Sequence, residues 1–122
     1  MQERYLEIYK ISHNFVLKLY KLTDNFPAYE RYRLTDQILR SAISIPANIS
    51  EGVARSSTRD YIRFLYIARG SINELKYYLL LSRDLDYLSE EYYDQLFNEV
   101  TLLFKMLNSL ITSLKKKSGL LR

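Results

Sequence analysis

The chain offers few residues that could do chemistry. Its 122 residues include one histidine and no cysteine. The missing cysteines rule out disulfides, thiolate nucleophiles and zinc–thiolate sites together. His13 lies between Ser12 and Asn14. A helical two-metal site needs Glu-x-x-His pairs, and position 10 is a lysine, so no metal site is expected. One histidine cannot supply a Ser/His/Asp set that the sequence would let one argue. Carboxylates neighbour one another at Asp84/Asp86 and at Glu90/Glu91. Such pairs do acid–base work only where the surroundings separate their pKa values. These flank a polar turn and a helix start, where capping already explains them. Gly52, Gly70 and Gly119 stand apart, so no glycine-rich phosphate loop exists. The expectation is a protein that is not an enzyme and carries no cofactor.

Basic residues are the remaining chemical signal. Arg55, Arg59, Arg63 and Arg69 cluster within fifteen positions, and Arg59 and Arg63 are spaced to share a helix face with Tyr66 nearby. Guanidinium groups fit phosphate geometry, and tyrosine rings stack on unpaired bases, which points to RNA or DNA. The same residues could instead form a solvated face with ion pairs to Asp60, Glu51 or Glu74. Lys115, Lys116 and Lys117 add a second basic cluster, which a helix C-terminus also favours. The net charge of +4 gathers in segments 31–71 and 105–122, while 72–104 is acidic.

The elements that position these residues follow from apolar spacing. Tyr5, Ile8, Ser12, Phe15, Leu19 and Leu22 alternate steps of three and four, one stripe of a helix. Pro27 ends that segment and restrains Phe26. Leu34, Ile38, Ala42, Ile45, Ile49 and Val53 form a second stripe. Pro46 falls inside it, which reads as one helix kinked where the ring meets Ala42, with two helices broken at 44–46 as the alternative. Ser57 caps a third segment with Asp60 as the acidic half of a capping box, and Tyr61, Leu65, Ala68, Ile72, Leu75 and Leu79 make its stripe. Ser89 caps a fourth, where Glu90 and Glu91 suit the helix dipole. Its stripe is Leu96, Val100, Leu103, Leu107, Leu110 and Leu114, and Gly119 stops it.

These patterns give an all-α chain with helices near 3–24, 30–54, 58–83 and 89–117, and no useful strand alternation. Short loops and four-three stripes imply one antiparallel up-down-up-down four-helix bundle over residues 1–122. No apolar run approaches the roughly 20 residues that cross a bilayer, and the charged N-terminus is unlike a secretory signal. A soluble cytoplasmic protein that does not engage membrane is expected.

The last two helices carry more apolar surface than one bundle uses. Phe64, Ile67, Tyr78, Phe97 and Phe104 fall outside the main stripes. Either the core is wide, or these residues form a contact between copies of the chain. The 12 tyrosines fit an interface, placing a ring inside and a hydroxyl at its rim.

The stretch from Leu34 to Leu79 contains two motifs. Ser44-Ile45-Pro46-Ala47-Asn48-Ile49-Ser50-Glu51-Gly52 is followed by Phe64-Leu65-Tyr66-Ile67-Ala68-Arg69-Gly70-Ser71 and by Glu74-Leu75. In both, the sequence resembles the four-helix-bundle proteins encoded in intervening sequences of bacterial 23S rRNA genes. The accessory variability determinant of diversity-generating retroelements is similar to that family. The resemblance implies a bundle that assembles as a homopentamer, without enzymatic activity, and a role in binding RNA or DNA. For the retroelement branch it implies a reverse transcriptase as partner. Pro46, Asn48, Glu51, Gly52, Arg55, Gly70, Ser71 and Glu74 are the characteristic positions that it carries over, and their small or hydrogen-bonding character suits close helix packing.

Overall fold

The computed structural model describes residues 2–119, with side chains from Arg4 onward. Four helices account for nearly all of them: α1 (Gln2–Thr23), α2 (Leu34–Val53), α3 (Thr58–Asp84) and α4 (Glu90–Lys117). No strand occurs among the described residues. Each four-three stripe turns inward. Ile8, Leu19, Ile38, Ile45, Ile49, Leu65, Ile72, Leu75, Leu79, Leu96, Leu103 and Leu107 are fully buried in one core. Tyr5, Val53 and Tyr61, at stripe ends, are only half-buried. Ile111, which lies outside the main stripe of α4, is buried too, so that helix presents a wider inward face.

Packing joins α1 to α2, α2 to α3, α3 to α4 and α4 back to α1, whereas α1 and α3 lie diagonally across the core. Across α2 and α3, Ser44 meets Ser71 and Gln37 meets Tyr78. Residue numbers therefore rise along one helix as they fall along the other. The same holds where Arg4 reaches Ser109 and Lys18 pairs with Glu99.

The helix ends have visible causes. The Ser57 hydroxyl accepts the Asp60 backbone N–H at 3.1 Å, and Ser89 accepts that of Tyr92 at 3.1 Å. Asp60 turns its carboxylate forward to Arg63, 3.6 Å away. α2 runs unbroken through Pro46, with the buried Ala42 one turn earlier.

Its start differs from the expected position near residue 30. A 3₁₀ turn, Ala28–Glu30, precedes it, and Arg33 takes φ −120° and ψ −106°, outside the helical region. The reason is Glu30, a buried carboxylate that no periodicity marks. It accepts the Leu34 N–H at 3.4 Å and the Tyr87 hydroxyl at 2.8 Å, and so serves as a cap from outside the helix. Tyr87 also lies 3.1 Å from the Tyr29 hydroxyl and packs on Phe26, 5.1 Å between ring centroids. One cluster thereby ties the α1–α2 connection to the α3–α4 connection.

Close approach of α2 to α3 depends on Gly52. A Cβ there would stand 2.9 Å from the Tyr61 ring and 3.1 Å from both Phe64 Cβ and the Tyr61 carbonyl. Two of those three neighbours belong to backbone or to a Cβ and cannot swing away. Gly52→Ala should therefore destabilise the fold by about 1–2 kcal/mol net, the strain outweighing the gain in helix propensity, as a lower urea midpoint will show.

The Tyr87 phenol is held neutral by its hydrogen bonds, first to Tyr29 and then to Glu30, which raises its pKa above the ordinary 10. A group raised in the fold contributes stability that is present below pH 10 and fades as the pH climbs above it. Urea midpoints measured from pH 8 to pH 11 should fall more steeply for the wild type than for Tyr87→Phe.

Candidate nucleic-acid interface

The basic residues gather through the turn between α2 and α3. The turn is short because the Arg55 N–H closes on the Gly52 carbonyl at 3.1 Å, and Ser57 caps α3 within five residues of Gly52. Gly52 brings the two helix axes close enough for Arg55, at the end of α2, to lie over the Phe64 ring of α3. Its guanidinium is 4.6 Å from the ring centroid, and that of Arg63 is also 4.6 Å from it. Two residues further along α3, Tyr66 holds Arg69 at 4.6 Å and Lys115 of α4 at 5.0 Å. Lys116 and Lys117 share a shallow cleft with Arg4 and Ser113. One end of the bundle thus collects Arg4, Arg55, Arg59, Arg63, Arg69 and Lys115–Lys117 from α1, the α2–α3 turn, α3 and α4.

The cations in this cluster are not equivalent. Arg55 is paired with Glu51, Arg63 with Asp60, and Arg69 donates to Asn108 at 2.9 Å. Arg59, Lys116 and Lys117 are exposed and form no ion pair among the described residues. The ion-pair reading of the arginines therefore holds at Arg55 and Arg63. Of the three carboxylates considered as partners, Glu51 and Asp60 are used, while Glu74 points away and is exposed.

The aromatics outside the core stripes have a common arrangement. Phe64, Tyr78, Phe97 and Phe104 are half-buried, and of the five residues considered for a contact between copies only Ile67 is exposed, at 44%. Lys76 stands 4.5 Å over Phe104 and 5.7 Å over Phe97, and Arg83 stands 4.7 Å over Tyr93. Tyr78 donates its hydroxyl to Gln37 at 3.2 Å. The α3 cations Arg69, Lys76 and Arg83 recur every seven residues, so they line the edge that faces α4. That spacing was legible in the sequence, but it draws notice only once the rings opposite are known. Each contact contributes about 0.5–1 kcal/mol at an exposed site.

The motif residues separate into two groups. Asn48 donates to the Ser44 carbonyl at 2.8 Å and to the Ser44 hydroxyl at 2.9 Å, and the Ser71 hydroxyl meets Ser44 at 2.8 Å. The Ser71–Ser44 bond crosses from α3 to α2, Asn48 holds Ser44 within α2, and Gly52 lets the two helices approach. Gly70 and Glu74 face outward from α3.

His13 is exposed on α1, and among the described residues no three His, Asp or Glu side chains lie together as metal ligands. Burial, then the neighbouring Tyr5, raises the Tyr61 phenol above its ordinary pKa, which keeps it neutral and no base. Asp84, Asp86 and Glu90 line an open cleft with Arg83 and Ser89 at the other end of the bundle. Among the described residues no helix is long and apolar enough to cross a membrane.

Comparison with known proteins supplies the family. The sequence profile of the 23S rRNA-intervening sequence protein matches residues 4–109. The chain belongs to that family. A solved structure of a protein of unknown function, from the S23 ribosomal protein family of Bacteroides thetaiotaomicron, is 31% identical to it. The two align with a TM-score of 0.83 over 89% of this chain and 98% of that one. No curated protein matches the chain.

Proposed function

We propose that the protein is a non-catalytic, self-associating helical bundle whose basic end binds the phosphate backbone of RNA or DNA. The observation that carries this reading is the convergence of cations from four separate segments on one end, with Arg59, Lys116 and Lys117 forming no ion pair among the described residues. Arg55 and Arg63 support it differently. Stacked on Phe64, they are preorganised, but Glu51 and Asp60 already engage part of their hydrogen-bonding edges, so a phosphate there exchanges for a carboxylate. The opposite end carries Asp24, Asp84, Asp86, Glu90 and Glu91 together with Lys21, Arg31, Arg33 and Arg83, so it is far less positive and the field favours approach to the basic end.

The contact so described is to backbone rather than to base edges. It should therefore be strongly dependent on salt and weakly dependent on sequence. Several copies joined together would present several basic ends to one strand, which raises the effective affinity without any new contact.

Fluorescence anisotropy with labelled single-stranded RNA, single-stranded DNA and duplex DNA, from 50 to 200 mM salt, tests the reading. Binding should weaken steeply as salt rises. The triple substitution Arg59→Ala, Lys116→Ala, Lys117→Ala should lower affinity about tenfold or more at low salt and make the log–log salt slope shallower by about three. Absence of binding to all three probes at the lowest salt would retire the proposal.

A further inference from the structure

Gly70 has no steric reason inside the chain to be glycine. It sits within the 27-residue α3, it is exposed, and a Cβ built there meets nothing within 4 Å. Glycine weakens a helix interior, so the position carries a cost that nothing in the monomer returns. Gly52 is the contrast, since there the neighbouring helix leaves no room for a side chain.

Gly70 is also the centre of a pattern. Arg63, Ile67, Gly70, Glu74 and Tyr77 follow steps of four and three along α3, all exposed, with the half-buried Leu81 next in the series. Ile67 and Tyr77 leave 44% and 58% of their surface to solvent. Glu74 forms no ion pair among the described residues. On α1 the residues Leu6, Lys10, His13, Leu17 and Tyr20 repeat the same steps, and all five are exposed. Leu6, Leu17 and Tyr20 leave nearly half of their surface open. Because α1 and α3 are diagonal in the bundle, the two stripes face away from each other.

The stripes match when Leu6 is set against Gly70 with the helices parallel. Lys10 then stands opposite Glu74, His13 opposite Tyr77, and Leu17 opposite Leu81. Heights within the bundle agree with this register. Arg4 and Arg69 reach the adjacent α4 residues Ser109 and Asn108, which puts Leu6 and Gly70 at nearly the same level.

We infer that the outer face of α3, centred on Gly70, receives the outer face of α1 from a second copy of this chain. Leu6 of that copy fills the space above Gly70, and its Lys10 pairs with Glu74. Small residues at a crossing let helices approach closely, and a large apolar residue opposite completes the packing. The contact joins two different faces, so each copy keeps one stripe free and assembly continues until it closes on itself. The inference rests on the self-association proposed above and names the surface that produces it.

Sedimentation velocity at micromolar concentration in moderate salt tests it. The wild type should sediment as a multimer. Lys10→Glu and Glu74→Lys should each weaken association about tenfold or more, and combining them in one chain should restore it to within about threefold of wild type. Gly70→Leu should dissociate the assembly while circular dichroism shows unchanged helicity. Should Gly70→Leu fail to fold, the charge exchange decides alone. A monomeric wild type overturns the inference together with self-association. A multimeric wild type whose charge variants are unaffected, or are not rescued in combination, overturns this surface and leaves self-association to another face. Nucleic-acid binding by the Arg59, Lys116 and Lys117 variant is read separately, so its failure is distinct from either outcome.

Discussion

The close approach of α2 to α3 is the constraint on which the rest of the structure depends. Gly52 permits it by presenting no side chain to Tyr61 and Phe64. Ser44, Asn48 and Ser71 hold it with hydrogen bonds that are satisfied within the helix pair. Two consequences follow locally. The turn between the helices is short, and Arg55 is carried over Phe64, where Arg63 already lies. Moving the helices apart would cost packing energy and would also take Arg55 away from the ring that positions it. The basic end is therefore a product of helix packing as much as of charge.

The structure also shows how a four-helix bundle can hold so many aromatic residues without burying all of them. Phe64, Tyr66, Tyr93, Phe97 and Phe104 each lie under at least one lysine or arginine. A long cationic side chain covers apolar surface with its methylene stem and its charge at once, while its polar end stays in water. The excess of aromatic residues on α3 and α4 thus need not be a docking surface. Ile67, Tyr77, Leu6 and Leu17 instead leave 44%, 58%, 47% and 49% of their surface to solvent. These are the residues that the inferred contact between copies would bury.

Helix number, the inward stripes and the caps at Ser57 and Ser89 were legible because they rest on local rules, namely periodicity and hydroxyl capping. The basic cluster was legible only as a list of candidates. Sequence alone could not show that Glu51 and Asp60 occupy two of the arginines while Arg59 stays open, since that depends on side-chain geometry. Nor could it show the role of Glu30. A glutamate among Tyr29, Arg31 and Arg33 reads as solvated, and its burial depends on Tyr87, which is 57 residues away. The later start of α2 follows from that contact and not from any propensity of residues 30–33. The aromatic excess of α3 and α4 follows from residue types, but the cations that cover it lie at positions where periodicity makes no distinction.

Gly52 and Gly70 show how an outward-facing function can be separated from the demands of the fold. Both lie in helices, where glycine weakens the structure by about 1 kcal/mol relative to alanine. At Gly52 the cost is offset in full view, by the approach of Tyr61 and Phe64. At Gly70 the chain alone offers nothing in return. A residue that fits the fold poorly and is surrounded by open space is best explained by something that arrives after folding. Glu74 one turn away, which forms no ion pair among the described residues, the exposed Ile67 and Tyr77 and the complementary series on α1 show the same imbalance. Each is unfavourable or unused in the isolated chain, and each is accounted for when a second copy is placed against it. In a chain with no catalytic cluster among its described residues, such unreturned costs are the most direct physical signs of what the surface is for.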